Sequence, residues 1–590
     1  MSLALLTSNA QALKSYTGFH PANRDGSAKP YNQVVADEPL RPVVLLDSPG
    51  RVVGTTYCDF QSNGSAGQRI VIDANGGAHF CWMGSSDQSL SPRGIYYGFV
   101  SPTGDSLPAM QLEGRDQAGF AGIDVWKGAI NPSVRNFAVL GYHNSSALDD
   151  RFAYDSGRGL GVFTIDSSSF PVGTNASIWP TFSIDHNDNI QAVATQSTTA
   201  PGEIFEHIYT RKNYGSPDWT NPIVFDRSYT ISPVITSSPV SAKTTIAWTR
   251  PTYQDSNQYD NDVVYIQSPD GNNWDFAGGR VNITNYPQSV QGDTTIRAYT
   301  DVDAVYDYND NLHIIWNVAY VTRDSANDMI VLYHAALYHW SVQSGIDLIY
   351  DHPVREWPSD MGAWNLPVAK MSIGVDDSNY LFVVFTRFDP TDYARYDTLT
   401  GDTSPCGGDN AMPCGNGEIY MTYSLSGGNN WMTPVNITNT PSPNCAPGFC
   451  DSDNWSSLAE HVDNYLHVLY IDDKDAGGIL VQEGDPTPNP VIYVRIANPT
   501  RLIGGCNYRL GDINNNGRFT GMDVVYSVRY FKGGPPPPYS CDCPPHGSFF
   551  VAGDVNGSCT FNGLDVSGMV IYFKGGSAPV PCPECPPPPR

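Results

Sequence analysis

The sequence predicts an all-β protein built mainly as a β-propeller of about seven blades, with six or eight also allowed. Three observations support this prediction: turn-forming residues are abundant, Asp dominates the acidic residues, and a strand–turn–strand pattern recurs. The 590 residues include 55 Gly and 46 Pro, and 12% are aromatic. Only nine of the 60 acidic residues are Glu. Asp favours turns and caps, whereas Glu favours helices.

Each copy of the recurring pattern is a strand, a tight turn of Asp, Asn or Gly, and a strand of alternating apolar residues. Successive copies are roughly 50–85 residues apart, and about 460 residues at about 66 per blade predict seven blades. A string of β-sandwiches is the alternative, but it would need linkers, and none is visible between residues 40 and 495. The copies begin at Asp73, Asp185, Asp307, Asp376 and His461.

A second element lies between these copies. The segments Ser268-Pro-Asp270-Gly271-Asn-Asn-Trp274 and Ser424-Leu-Ser426-Gly-Gly428-Asn-Asn-Trp431 are each followed by Val-Asn-Ile-Thr-Asn. They resemble the Asp-box hairpin of sialidase-like β-propellers. The resemblance implies that polar side chains brace the hairpin and that the Trp plugs between blades. Residues 215–219 form a possible third relic.

The repeated Asp residues are interpreted as structural. A residue present in every blade braces the fold, whereas catalysis uses residues that occur once. His79, His313 and His467 recur in the same way and are interpreted as packing residues, with a central metal site as the alternative.

A sialidase or another propeller glycosidase is the enzyme hypothesis. A sialidase needs three arginines around a carboxylate, and Arg93, Arg250 and Arg387 are the candidates. The Arg-Ile-Pro motif that opens the sialidase family is absent. Other propeller glycosidases need two or three carboxylates about 5–10 Å apart at the blade openings. No catalytic residue is assigned from the sequence, and a non-catalytic protein is favoured.

The twelve cysteines are close together in sequence, which favours disulfides and export. We expect Cys58 to pair with Cys81, Cys406 with Cys414, and Cys445 with Cys450; six more cysteines follow between residues 506 and 585. Zinc is the alternative, because Cys582-Pro-Glu-Cys585 has metal-ligand spacing, although no second CxxC pair exists.

The C-terminal region carries a different repeat, with a period of 42 residues. Each copy places oxygen-bearing side chains at loop positions 1, 3, 5 and 12, a backbone carbonyl at 7 and a water-linked side chain at 9, which suits Ca²⁺. The predicted ligands of the first loop are Asp512, Asn514, Asn516, Arg518, Thr520 and Asp523. Those of the second loop are Asp554, Asn556, Ser558, Thr560, Asn562 and Asp565.

Each loop continues into a segment with helical apolar spacing, and this loop–helix form resembles the type I dockerin module. The resemblance implies calcium binding and docking onto a cohesin domain. The docking positions hold Gly521-Met522 and Gly563-Leu564 instead of polar pairs, which argues against cohesin binding. Gly517 forms the turn of the first loop. Cys559 takes that place in the second loop and weakens the site unless a disulfide holds the turn.

These features divide the chain into an N-terminal extension (1–40), a propeller (41–500) and a dockerin-like module with a Pro-rich tail (505–590). The extension is interpreted as a residual signal or an assembly strand. A net charge of −27 argues against nucleic acid, and no apolar run is long enough to span a membrane. We expect a secreted or cell-surface protein that assembles with itself, head to tail in a filament, or with another surface protein or a glycan. A propeller glycoside hydrolase or tethered glycan-binding protein is the alternative.

Overall fold

The computed structural model describes most of the chain beyond residue 47. The predicted N-terminal extension lies outside the described residues. The structure describes residues 48–62, 64–65, 67–113, 117–144, 149–166, 177–196, 205–228, 230–231, 233–251, 260–327, 329–354, 357–362, 364–395, 405–406, 412–501, 508–543, 546–576, 579–582 and 585.

The described strands form seven four-stranded blades, so the predicted all-β propeller is confirmed. Blade 1 follows the first strand, β1 (Arg51–Thr56), and contains β2 (Ile70–Ile72), β3 (Ala78–Gly84), β4 (Gly94–Val100) and β5 (Met110–Glu113). Blade 2 contains β6 (Ala118–Val125), β7 (Ala138–Asn144), β8 (Asp149–Asp155) and β9 (Phe163–Ile165). Blade 3 contains β10 (Ser177–Ile184), β11 (Ile190–Gln196), β12 (Phe205–Lys212) and β13 (Ile223–Ser228).

Blades 4 and 5 share one hydrogen-bonded sheet because Asn261 pairs with Ala298 between them. Blade 4 contains β14 (Val234–Ser237), β15 (Thr244–Pro251), β16 (Asn261–Ser268) and β17 (Val281–Asn282). Blade 5 contains β18 (Thr295–Tyr306), β19 (Leu312–Arg323), β20 (Met329–Ser341) and β21 (Gly345–His352). Blade 6 contains β22 (Val368–Asp376), β23 (Leu381–Tyr393), β24 (Gly415–Ser424) and β25 (Val435–Asn436).

Blade 7 is built from both ends of the propeller sequence. Its later strands are β26 (Ser452–Leu458), β28 (Tyr465–Asp473) and β29 (Asn489–Ala497), while the short β27 (His461–Val462) pairs in parallel with β22. The fourth strand is β1, which pairs antiparallel with β29 from Arg51↔Tyr493 to Thr56↔Asn489. The first strand of each blade, from β2 to β26, contacts its counterparts in neighbouring blades. We call the space that these inner strands enclose the central channel.

The repeated Asp residues brace the turns after the inner strands. Asp73 Oδ1 accepts the N–H groups of Asn75 (2.8 Å) and Gly77 (3.0 Å), and Asp307 Oδ1 accepts those of Asn309 and Asn311. Asp185 and Asp376 make the same pair of bonds. Their interpretation as structural residues is confirmed.

The recurring histidines belong to the same braces. His79 Nε2 lies 3.0 Å from Asp73 Oδ2, and its Nδ1 lies 2.8 Å from Tyr97 Oη. His467 Nδ1 lies 2.7 Å from Tyr493 Oη in the neighbouring strand. The hydrogen-bond partners of His79 and His467 therefore lie in the same blade as each histidine, and the histidines are not gathered around one central point.

The hairpins with the Ser-x-Asp-x-Gly pattern place their Trp between blades, as expected. Trp274 of blade 4 lies 5.0 Å from the ring of Tyr209 in blade 3, and Trp431 of blade 6 lies 5.6 Å from His339 in blade 5. Trp219 likewise contacts Phe152 of the preceding blade at 4.6 Å. These aromatic contacts fasten successive blades together.

The cysteine predictions are partly confirmed. Cys406–Cys414 and Cys445–Cys450 are disulfides. The expected Cys58–Cys81 bridge is wrong, because both thiols are free and buried. Cys81 packs inside the blade with Tyr97, whereas Gln61 Nε2 donates to the carbonyl of Cys58 and holds that residue in the segment after β1.

The described residues up to 462 and those from 467 to 494 form one compact unit, and residues 463–466 form a second with the described residues from 495 onward. The second unit contains the two predicted loops, each followed by a helix. These helices are α1 (Gly521–Phe531) and α2 (Gly563–Phe573), and the short strands are β30 (Cys541–Asp542) and β31 (Ser548–Phe549). Among the described residues no helix has the length and apolar character needed to cross a membrane.

Candidate functional site

Four inner strands carry a bulge near their first residues. The register of pairing shifts between Gly119 and Gly122 in β6, and at corresponding places in β10, β22 and β26. The residue inside each bulge has a positive φ: Phe120 (54°), Trp179 (56°), Lys370 (50°) and Trp455 (57°).

A left-handed backbone is unfavourable for bulky side chains, and such strain concentrates at functional sites. Bulges also re-aim side chains next to active sites. The four bulged residues share a backbone position but not a chemistry, so no sequence motif marks them. The structure therefore identifies the bulged end of the channel as a candidate site that the sequence analysis missed.

The segment of residues 60–68 crosses the channel in its described part. The backbone N–H of Val302 in blade 5 donates to Ser65 Oγ (3.1 Å), and that of Ile123 in blade 2 donates to the carbonyl of Gln68 (2.9 Å). The segment therefore contacts inner strands on different sides of the channel and narrows the opening.

A cavity of about 80 Å³ remains in the channel beside this segment. Its volume is below the roughly 300–1,000 Å³ that is typical of small-ligand sites, so the enclosed space is only part of any site at this end of the channel. The half-buried rings of Phe120 and Trp179 form part of its wall, and their centroids are 6.2 Å apart. Gln68, Asp303 and Glu460 add polar groups to the same wall. Aromatic faces combined with a few polar groups suit a ligand with both apolar and hydroxyl-bearing surfaces.

Glu460 is the distinctive acid of this cavity. It follows β26, and its side chain accepts no hydrogen bond from any residue in the part of the chain that the structure describes. Burial, together with the nearby carboxylates of Asp124 and Asp303, raises the pKa of Glu460 to about 8, although Lys127 opposes the shift. Glu460 is therefore mostly protonated at neutral pH and can donate a proton into the cavity.

Asp303 is held differently. Its Oδ1 accepts the N–H of Ala304 and its Oδ2 accepts that of Ile373, both at 2.9 Å. Burial raises the pKa of Asp303 to about 6, and these hydrogen bonds limit the rise. At neutral pH one wall of the cavity thus carries a protonated Glu and an ionised Asp. Two carboxyl groups with separated pKa values are the arrangement that acid–base catalysis uses.

The predicted sialidase cluster of arginines does not form. Arg93 Nε donates to the carbonyl of Ala118 (3.1 Å), Arg250 Nε lies 2.8 Å from Asp226, and Arg387 lies 4.8 Å from the ring of Tyr420. These contacts lie on blades 1, 4 and 6.

The bulged position of blade 6 holds a buried ion pair. Lys370 Nζ lies 3.3 Å from Asp301 Oδ1 and donates to the carbonyls of Gly64 (2.8 Å) and Trp364 (3.1 Å). Both side chains of the pair have no exposed surface. Lys370 Nζ also lies 5.1 Å above the ring of Trp455, so this group fixes the crossing segment against the bulges of blades 6 and 7.

Comparison with solved structures finds similarities that are low in both sequence identity and TM-score. The chain resembles an ulvan lyase, with 8% identity and a TM-score of 0.44 over 76% of this chain and 96% of that one. It also resembles the α-L-arabinofuranosidase of Fusarium graminearum (9% identity, TM-score 0.35, 64% and 93% covered). The α-L-arabinanase of Penicillium chrysogenum is 9% identical, with a TM-score of 0.34 over 76% of this chain and 99% of that one. These similarities are too low to assign an activity, so the functional argument rests on the channel.

No protein-family model matches the chain, and the Asp-box and dockerin families are accordingly not detected. No curated protein matches either. The resemblance stated from the sequence is therefore supported at the level of the β-propeller and not at the level of those families.

In the first predicted calcium loop, the two carboxylates accept hydrogen bonds from backbone N–H groups of the loop. Asp512 accepts the N–H groups of Asn516 (2.9 Å) and Gly517 (2.6 Å), while Asp523 accepts that of Asn514 (3.3 Å). Thr520, predicted as a water-linked ligand, caps α1 by accepting the N–H of Met522.

The second loop repeats this arrangement. Asp554 accepts the N–H groups of Ser558 (3.1 Å) and Cys559 (2.8 Å), and Asp565 accepts that of Val555 (3.1 Å). Burial raises the pKa of Asp565, and the neighbouring Asp554 adds to the shift. Asn562 accepts the N–H of Leu564 as the cap of α2. Two buried carboxylates at the base of a partly exposed loop fit a hard divalent cation.

A disulfide holds the turn of the second loop, which is the condition under which Cys559 can replace the turn glycine. Cys559 occupies the turn with φ 57° and forms a bridge to Cys582. The bridges of this region do not join near neighbours, because Cys543 pairs with Cys585 and the two bridges span 42 and 23 residues. Cys541 is also disulfide-bonded, and Cys506 lies outside the described residues.

Stability should depend on pH through Glu460. Its folded pKa of about 8 exceeds the ordinary value, so its contribution is complete below the unfolded pKa of about 4.3 and is lost as pH rises through about 8. Each pKa unit is worth about 1.4 kcal/mol, and channel water reduces the effect. We expect wild type to lose about 2 kcal/mol relative to Glu460→Gln between about pH 5 and about pH 9. Urea unfolding at both pH values measures this difference; parallel behaviour would contradict it.

Proposed function

We propose that the propeller is a carbohydrate-active module that binds a neutral glycan in the central channel and hydrolyses it. The observation that carries this proposal is Glu460: an acid with a raised pKa that has no hydrogen-bond partner among the described residues and lines the same cavity as two strained aromatic residues. It meets the criterion of uniqueness, since it is absent from the pattern that the other blades repeat.

Phe120 and Trp179 act as the binding surface. The apolar face of a sugar ring packs on an aromatic ring, while Gln68 bonds to hydroxyl groups at the cavity wall. From Phe120 to Asp124, the neighbour of Glu460, the inner strand runs four residues, roughly 13 Å if extended. A short sugar chain along this strand therefore spans the distance from the aromatic rings to the acid, with most of the chain outside the small enclosed cavity.

The chemistry follows from the two carboxyl groups. Glu460 gives its proton to the glycosidic oxygen as the bond from that oxygen to the anomeric carbon breaks. A water molecule adds to the anomeric carbon, and the ionised Asp303 takes the proton that this water releases. Asp303 then releases its proton to solvent and Glu460 takes one up, which restores the starting protonation of both groups. The acid and base are the pair whose pKa values the channel separates.

A neutral substrate is favoured by charge. The chain carries a net charge of −27, and Asp124, Asp303 and Glu460 lie close together at the channel. An anionic chain would be repelled at this end of the channel unless it met a compensating cation.

The function is tested by incubating the protein with neutral and acidic polysaccharides and measuring new reducing ends. We expect cleavage of at least one neutral glycan, and Trp179→Ala should weaken its binding by roughly 1–3 kcal/mol, as for other stacked rings. Trp219→Ala is the matched control, since that ring packs between blades away from the cavity. Products with an unsaturated terminal sugar would instead indicate a lyase, and no binding or cleavage would overturn the proposal.

We also propose that both C-terminal loops bind Ca²⁺ through their carboxylates, amide and hydroxyl oxygens and the carbonyls of Arg518 and Thr560. Calorimetric titration of the full chain should reveal two sites. Asp523→Asn and Asp565→Asn should each weaken one site by roughly tenfold or more, because the charge of the ligand set governs affinity. Asp293→Asn, at an exposed propeller turn, is the control. No binding at millimolar calcium would contradict the prediction.

Filament formation stays a prediction from the sequence. It is compatible with secretion, for which the disulfides argue. Electron microscopy with calcium and then with a chelator distinguishes ordered head-to-tail polymers from single propellers.

A further inference from the structure

The second unit gathers cysteine and histidine side chains with paired spacing. Cys543 and His546 are separated by two residues, as are Cys582 and Cys585. Only the second pair has the CxxC form, whereas the first ends in His. Two short pairs at such spacing are typical of sites that hold a transition metal.

The fold brings these pairs together with Cys559. The ligand atoms of His546, Cys559 and Cys582 all lie within 4.8 Å of one another. Cys543 Sγ lies 3.9 Å from Cys582 Sγ. Sulfur atoms in a tetrahedral zinc site, each about 2.3 Å from the metal, are about 3.8 Å apart.

The surroundings also suit a metal site. Cys543, Cys559 and Cys582 are buried in an apolar cluster that includes Tyr508 and Val551, whereas His546 is exposed. The sulfur atoms are therefore shielded from bulk solvent, and the imidazole closes the cluster on its outer side.

We propose that reduction of the Cys543–Cys585 and Cys559–Cys582 bridges converts this cluster into a Zn²⁺ site. The ligands are the thiolates of Cys543, Cys559 and Cys582 and the neutral imidazole of His546. Thiolate and imidazole ligands select zinc over calcium, so this site is separate from the carboxylate loops.

Electrons, protons and bonds are all accounted for in this conversion. A dithiol reductant transfers two electrons and two protons to each bridge, the S–S bond breaks, and two thiols form while the reductant becomes a disulfide. Zinc then displaces the protons from the three ligating thiols, and Cys585 remains a thiol. The oxidised module has its bridges and no zinc; the reduced module has zinc in their place.

The experiment uses the full chain, reduced without oxygen and freed of reductant. Zinc chloride is added, excess metal is removed by desalting in the presence of calcium, and bound zinc is measured by mass spectrometry. We expect one zinc per reduced chain and none per oxidised chain. His546→Ala should weaken zinc binding by at least about tenfold, the lower range seen when even an outer partner of a metal ligand is lost.

Three controls separate this site from other thiols. His186→Ala removes an exposed propeller histidine, and the double variant Cys445→Ser/Cys450→Ser removes another reducible bridge; both should still bind one zinc. Cobalt chloride should give the visible bands of tetrahedral cobalt thiolate in wild type and altered bands in His546→Ala. Equal zinc in oxidised and reduced protein, equal affinity of wild type and His546→Ala, or no zinc in reduced wild type would overturn the proposal.

Discussion

Replacing Glu460 by Gln should lower the rate of glycan hydrolysis by about 100- to 10,000-fold, the usual contribution of a positioned acid. Gln fills the same space but has no acidic proton to give to the leaving oxygen. Because the aromatic binding surface is unchanged, substrate binding should stay within about twofold of wild type. Reducing-end assays under single-turnover conditions, together with binding measurements, separate the two effects.

Glu206→Gln is the matched control for this variant. Glu206 forms an exposed ion pair with Arg227 in blade 3, where the Arg side chain is 67% exposed. The control should keep wild-type activity. If Glu460→Gln cleaves glycan as fast as the control, Glu460 is not the proton donor and the proposed mechanism fails.

The largest stability effect is expected at Lys370. Lys370→Met removes the positive charge and leaves the carboxylate of Asp301 buried without a cation, which typically costs about 3–5 kcal/mol. The variant should also loosen the crossing segment, because Lys370 no longer donates to the carbonyl of Gly64. Chemical unfolding at constant calcium measures the change in the unfolding midpoint.

A double variant tests whether the buried charge is the cause. Lys370→Met combined with Asp301→Asn removes both charges and should recover much of the loss. Lys243→Met is the surface control, because its pair with Asp310 is partly exposed and should be worth at most about 1 kcal/mol. Equal losses in Lys370→Met and Lys243→Met would show that the buried pair contributes little.

The sequence was informative wherever a local pattern repeats. The turns at Asp73, Asp185 and Asp307 use bonds within four residues, so the pattern of each turn can be seen in a short stretch of sequence. Similar local contacts explain the Trp274 hairpin and the C-terminal loops. The blade number followed from dividing the length of the repeat region by the length of one blade.

The channel was not predictable in the same way. Glu460 is close enough to Asp124 and Asp303 for their charges to raise its pKa, although these residues are 336 and 157 positions earlier in the sequence, and no sequence spacing predicts this. The prediction for Cys58 was wrong for a related reason, since closeness in sequence does not determine whether a side chain outside a strand meets one inside a blade. The raised pKa of Glu460 arises mainly from burial of its side chain, and that burial exists only once the ring of blades has closed.

The divided seventh blade has a consequence for how the protein is made. Tyr470 donates to the carbonyl of Pro49 across 421 residues, and β1 pairs with β29. During translation, β1 leaves the ribosome long before its partner exists, so its backbone groups wait unpaired and the ring stays open. Unpaired strand edges of this kind can pair with other chains and cause aggregation. Synthesis of the last propeller strand is therefore the step after which β1 can pair within its own chain and the risk of aggregation falls.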